Sequence, residues 1–252
     1  MDHGGPRGTL YFELLCGASG DMILASLVDL GVPVSYLSNC FDKLEIPGLT
    51  IRGNRAHRSG VSCTQLEITW LEARQQELRN VESILTLLRR AGISPAVAAV
   101  CRRVLDRLAE AEAQVHGVPV EQVHFHEVGA VDTIVDILGF ALAVDYLRVG
   151  KILFSTLTVG SGTIQTAHGE LPVPAPATGV MLSGFQVRRL DTGTEILTPT
   201  GCAILTAGGT QVSEPPPGPA LGEGFGCGGK VIPGFADYLR VVHLSAQADV
   251  AV

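Results

Sequence analysis

After a short polar lead, the apolar run Thr9 to Leu15 reads as a buried strand, the GASGD stretch as a tight turn, and MILASLVDLG as a helix closed by Gly31 and Pro33. A second helix is predicted from about Val34 to Leu44. In LTIRGNRAHRSGVSCTQLEITW, polar and apolar positions alternate on both sides of Arg58-Ser59-Gly60, which predicts a β-hairpin ending near Trp70. Residues 71–92 begin charged and become amphipathic, a loop feeding a helix that Asn80 caps and Gly92 stops. From Pro95 to His116 the residues Val97, Val100, Val104, Leu108, Ala111 and Val115 share one stripe, predicting a long helix that ends at Gly117 and Pro119. The stretch from Ala130 or Asp132 to about Arg148 leaves almost no polar face, so it predicts a helix buried on most sides.

KILFSTLTV then reads as one strand, GSGTIQTAHGELPVPAPAT as an irregular Gly/Pro-rich segment, and PATGVMLSG as a short helix with Pro176 in its first turn. PTGCAILTAGG predicts another helix, with Thr198 as N-cap, Pro199 at the first position and Gly208 as stop. The low-complexity VSEPPPGPALGEGFGCGGKVIPG reads as a surface loop, and ADYLRVVHL after it as a strand. This alternation predicts an α/β or α+β fold: a mixed sheet with flanking helices and one β-hairpin, forming a compact single unit over residues 1–252.

Composition narrows the function classes. With 46% hydrophobic and 17% charged residues, and apolar runs that are all interrupted, the chain is neither a disordered polyelectrolyte nor a membrane protein. A formal charge of -7 with scattered Lys and Arg argues against nucleic acid as a partner and favours a small or metal-containing ligand. The six cysteines form no C-x-x-C pair, and the first apolar run is too short for a secretion signal, so a reducing, cytoplasmic location is expected.

The strongest chemical signal is VHFHEVGAVDTIVDILGF. His124 and His126 point to one side if the segment is extended, Glu127 adjoins them, and Asp132 and Asp136 lie one turn apart on the buried helix. A carboxylate withdrawn from water needs a partner, and imidazoles with carboxylates suit Zn, Ni, Fe or Mn. The structural alternative is a capping role for Asp132 and a salt bridge for Asp136. His116, in the last turn of a helix, reads as structural, whereas His168 lies in a loop suited to a ligand or proton donor. The amides around Gly17 and Gly20 with the Ser19 hydroxyl, the Gly160-Ser161-Gly162 loop, and the helix start at Thr198 and Thr200 are three candidate anion sites. Asp21 either caps its helix or orients a metal-bound water.

Four blocks, GASGDM, AEAEAQVHGVPVEQVHFHEVGAVDTIVDILG, VGSGTIQTAHGELPVPAPAT and EILTPTGCA, closely resemble in order and position the LarC family of nickel-insertion proteins, over nearly the whole chain. The resemblance implies delivery of nickel to a pyridinium bis-thiocarboxylic acid mononucleotide, building the nickel-pincer cofactor of lactate racemase in a CTP-dependent step with a divalent cation such as Mn or Mg. It implies that His124, His126, Glu127, Asp132 and Asp136 handle nickel, and the glycine-rich loops and helix starts would then hold the phosphate; Asp21 and His168 are the catalytic candidates on the reading of their own positions given above. This chain departs from the family in three ways. Glu13-Leu14-Leu15-Cys16-Gly17 replaces the usual Asp-Cys-Phe-Ser-Gly, which would place Cys16 on the same strand face as Leu14; no histidine-rich stretch follows the hairpin; and the nucleotide-associated C-terminal region is absent. Those departures leave open a separate C-terminal partner chain, a truncated form, or a non-catalytic metal-binding homologue. The residue types alone also suit a metal-dependent phosphohydrolase. Whether the chain forms an oligomer is left open.

Overall fold

The computed structural model describes residues 8–71, 80–123, 125, 131–166 and 169–246. Strand β1 (Gly8–Glu13) is an interior strand of a seven-stranded mixed sheet, with Leu10 and Phe12 fully buried. On one side it pairs antiparallel with β11 (Leu239–Leu244), and on the other parallel with β4 (Val149–Phe154), beyond which lies the short β9 (Thr210–Gln211). Past β11 come β10 (Ala220–Cys227) and then the hairpin of β3 (Val61–Thr69) and β2 (Thr50–Arg58). Two small sheets pair β5 (Leu157–Val159) with β8 (Val187–Arg189) and β6 (Thr163–Thr166) with β7 (Gly169–Pro172).

Helices α1 (Gly20–Asp29) and α5 (Val131–Tyr146) touch each other and both lie on the large sheet. The all-round apolar character of α5 is explained by this position: Thr133 through Ala143 are all buried. On its outer side packs α4 (Pro95–His116), opened by Ser94, whose Oγ accepts from the Val97 amide at 3.3 Å, and closed by Gly117 at φ 65°. Around α4 gather α3 (Val81–Arg90), α6 (Pro176–Met181) and α7 (Pro199–Thr206). An Asn80–Ser83 capping box starts α3, and α2 (Val34–Phe41) packs against β2 before running into a 3-10 turn over Asp42–Leu44. Among the described residues no helix is long and apolar enough to cross a membrane.

The mixed sheet and its helices match the expected fold class, and five local expectations are corrected. The first strand ends at Glu13, so Cys16 lies beyond it and not on the strand face of Leu14. KILFSTLTV is two strands, β4 and β5, in different sheets. The irregular segment after it contains a second hairpin, β6–β7. Val115 is exposed, because it lines an open cavity and not the packed core. Most consequentially, the supposed surface loop contains β10, an interior strand of the large sheet.

The composition of β10 follows from its neighbour. A Cβ at Gly224 would stand 2.2 Å from the Ser26 carbonyl oxygen, and one at Gly226 2.2 Å from the Met22 carbonyl oxygen, both on the backbone of α1. These glycines are not needed for a turn; they let a helix lie directly on a strand. Gly226→Ala is therefore expected to destabilise the protein by roughly 1–3 kcal/mol. Gly222→Ala, which meets only the flexible Leu30 side chain at 3.2 Å, should cost clearly less. Urea unfolding of both variants checks this, and equal costs would refute the packing account.

Candidate functional site

Two loops are locked together at the heart of the site. After β1 the chain turns at Gly17, at φ +75°, where a Cβ would fall 1.9 Å from the Ile196 carbonyl oxygen. Ala18 then bridges to Leu197, and its carbonyl oxygen accepts from the Thr198 amide at 3.1 Å. The starts of α1 and α7 are thereby held side by side. Thr198 caps α7 as expected, its Oγ1 accepting from the Gly201 amide at 3.2 Å. Ser19 caps α1 by position, but its hydroxyl donates to Asp21 Oδ1, which also accepts from the Met22 amide at 2.9 Å.

Against this junction stands a buried carboxylate. Asp136 lies within α5 and is 8% exposed, and among the described residues its Oδ1 has no hydrogen-bond partner. Gly20 makes the closeness possible, since a Cβ there would sit 2.3 Å from Asp136 Oδ2. Among the described residues no salt bridge reaches Asp136. Burial first, and then the charges of Asp21 and Asp132, push its carboxyl well above the usual value of 3.8. Asp132 is raised too, by burial foremost and by Asp21, partly offset by the Thr133 amide donating to its Oδ1 at 2.8 Å; it keeps a solvent-facing surface. Among the described residues no three His, Cys, Asp or Glu side chains stand close enough to hold a metal by themselves.

These groups line a cavity of about 630 Å³, large enough for a small organic ligand. Ser19, Gly20, Asp21, Asp132, Asp136, Thr198 and Thr200 all contribute to its wall, so the structure unites two of the three expected anion loops with the expected helical aspartates. The third loop lies elsewhere. Gly160 packs against the Thr194 backbone, while Ser161 Oγ donates to Asp191 at 2.8 Å and accepts from the Gly193 amide at 3.1 Å; Gly162 also packs on Gly193. That loop is explained by local structure. His124, His126, Glu127 and His168 lie outside the described residues.

Sequence reasoning missed the opposite wall. Leu66, Ile68 and Trp70 alternate along β3 and its end, with Ala175 and Ala177 at the start of α6 beside them. Their period of two was legible, but nothing in it distinguished a cavity wall from ordinary core. Trp70 Nε1 is buried without a partner among the described residues. His116, read as structural, stands on the wall 3.5 Å from Glu112. Cys16 is buried, and burial pushes its thiol up to about 11, so it offers no ready thiolate at neutral pH.

An acid-lined cavity under two helix starts, in a mixed α/β fold, is the setting in which the sequence comparisons are read. The sequence profile of the family described as nickel insertion protein matches residues 10–251, and the chain belongs to that family. A relative from Citrifermentans bemidjiense is 44% identical over 232 residues, covering 92% of this chain and 60% of its own length. One from Geotalea uraniireducens is 42% identical over 238 residues (93% and 60%), and one from Dictyoglomus thermophilum 38% over 232 residues (92% and 59%). All three are provisionally named as nickel insertion proteins. The chain spans about 60% of the length of these curated relatives. No solved structure matches it.

The folded protein holds the Asp136 proton more tightly than the unfolded chain does. This group's stabilising contribution is therefore complete below pH 3.8 and is lost as pH rises from there through the folded value. In metal-free protein, Asp136→Asn should raise stability at pH 7 by on the order of 1 kcal/mol, with the gain vanishing towards acid. Urea midpoints measured across pH 3.5–7.5 decide it; a pH-independent difference would show that Asp136 does not carry the effect.

Proposed function

We propose that this chain handles nickel for insertion into a pyridinium bis-thiocarboxylic acid mononucleotide, the ligand of the nickel-pincer cofactor of lactate racemase, and that it does so in the cytoplasm. The observation that carries the reading is Asp136: a buried carboxylate with an unpartnered oxygen, in the field of two further acids, on the wall of a ligand-sized cavity. Such a group is stabilised by a proton or a cation. Nickel here is cargo. Carboxylate oxygens of Asp132 and Asp136, with Glu127 and the imidazoles of His124 and His126, form a donor set that accepts nickel yet holds it less firmly than thiolates would, which suits a metal that must be passed on.

The rest of the cavity fits the proposed acceptor. The starts of α1 and α7 favour an anionic phosphate, and Ser19, Thr198 and Thr200 add hydroxyls. Leu66, Ile68 and Trp70 offer a flat apolar face to a planar ring. The hard oxygens of Asp21 and Asp132 suit Mn or Mg accompanying CTP. Asp21 and His168 are the proposed groups for proton movement, and a separate chain supplying the remaining length of the relatives is the proposed partner.

Nickel binding to the folded protein, measured by equilibrium dialysis, should weaken at least about 10-fold in Asp136→Asn and in the paired His124→Ala, His126→Ala variant. Nickel transfer to the thiocarboxylate ligand should depend on CTP and on the candidate partner chain. Undiminished nickel binding in both folded variants would sink the proposal. Hydrolysis of a generic phosphoester with Mn or Ni, without nickel loading, would replace it with a phosphohydrolase.

A further inference from the structure

Spacing along the sequence gave no hint that any two cysteines meet, yet the fold brings together a pair 164 positions apart. Cys63 on β3 and Cys227 at the end of β10 are both fully buried, and their Sγ atoms stand 3.0 Å apart. Parallel pairing sets this up, with Gly226 facing Thr64 and Cys227 facing Gln65. The surroundings hold the pair in place: the Cys63 thiol points towards the Ala56 carbonyl at 3.6 Å, and Arg58 donates to the Gly228 carbonyl at 3.1 Å while its Nε lies 3.5 Å from Asp237. An approach of about 1 Å would bring the sulfurs to bonding distance.

We infer that Cys63 and Cys227 are a covalent cross-linking site, forming a reversible disulfide that ties the β2–β3 hairpin to β10. The pair lies directly behind the cavity. Gly228, next in the chain, packs against Asp21; Gly229 lines the cavity; and Leu66 and Ile68 lie further along β3. The bond would therefore fix the apolar wall relative to the acidic one. The oxidant is a low-molecular-weight disulfide. One cysteine sulfur attacks it, breaking its S–S bond and releasing one thiol; the second cysteine sulfur then displaces the other half. Two cysteine protons end on two reagent thiols, the protein loses two electrons, and the reagent gains them. Burial, and then the adjacent Cys63 thiol, push the Cys227 thiol up to about 12, so the reaction must wait for local opening. The β3–β10 ladder is short at two residue pairs, which makes opening there feasible, and the exchange should run over minutes to hours.

The test incubates the reduced native chain with glutathione disulfide, blocks free thiols by alkylation, and maps disulfide-linked peptides by mass spectrometry. The expected product joins the peptides containing Cys63 and Cys227, removes two of the six free thiols, and is reversed by dithiothreitol. The oxidised form should unfold at a higher temperature than the reduced form, a difference that Cys63→Ala abolishes. The wild-type peptide map stands alone should that variant not fold. Prolonged exposure that leaves both thiols free, or links formed instead through Cys16, Cys40, Cys101 or Cys202, would overturn the assignment.

Discussion

Helix α1 packs so tightly on its neighbours that its contacts require four glycines. Gly224 and Gly226 clear its backbone on the sheet side, Gly139 of α5 clears Leu24, and its own Gly20 clears Asp136. This one packing constraint sets where the first turn of α1 points, how near the buried carboxylate stands, and why an interior strand reads ALGEGFGC. Glycines in a strand cost backbone entropy and contribute no side-chain packing. Their presence is offset by contacts of α1 that a bulkier strand would push away, including buried Ile23, Leu24 and Leu27.

Around that helix the electrostatics run against stability. Three acids share one side of a cavity, and the deepest of them lacks a hydrogen-bond partner on one oxygen among the described residues. Elsewhere in the fold, charge is neutralised with care: Asp29 accepts from Arg55, the Thr64 hydroxyl and the Phe225 amide, and Arg240 lies between Glu13 and Glu223. A protein that satisfies a half-buried aspartate with three donors and leaves a buried one with an unsatisfied oxygen has placed its frustration at a particular spot. Such unsatisfied groups concentrate where a ligand completes the structure.

Much of this was legible in the residues. The ends of α4 were readable because Ser94, Pro95 and Gly117 are strong local signals, and α5 because a 16-residue helix with almost no polar face has only one place to go. The aspartates were found by the same logic, as charge inside an apolar run. What escaped was set by partners distant in sequence. β10 looks like a loop until α1 is laid across it; KILFSTLTV looks like one strand until Phe154 and Leu157 prove to serve different sheets; Cys63 and Cys227 look unrelated until β3 meets β10. The loop at Gly160 to Gly162 had the composition of an anion site, but Ser161 Oγ is engaged with Asp191 and the Gly193 amide, and Gly160 packs against the Thr194 backbone.

The pairing of β1 with β11 carries a consequence for how the molecule is made. Thr9 faces Leu244, and Ala18 bridges to Leu197, so the first strand and the first loop both take partners from the far end of the described chain. During synthesis the first strand emerges long before β11 exists, so its β11-facing edge must wait unpaired until nearly the whole described chain is translated, even where β4 already covers its other edge. A chain with such high contact order folds slowly once complete. The acidic cavity is correspondingly a late product of assembly, absent from any nascent fragment that stops short of Thr198. An unfinished chain therefore has no such pocket in which to sequester a metal ion.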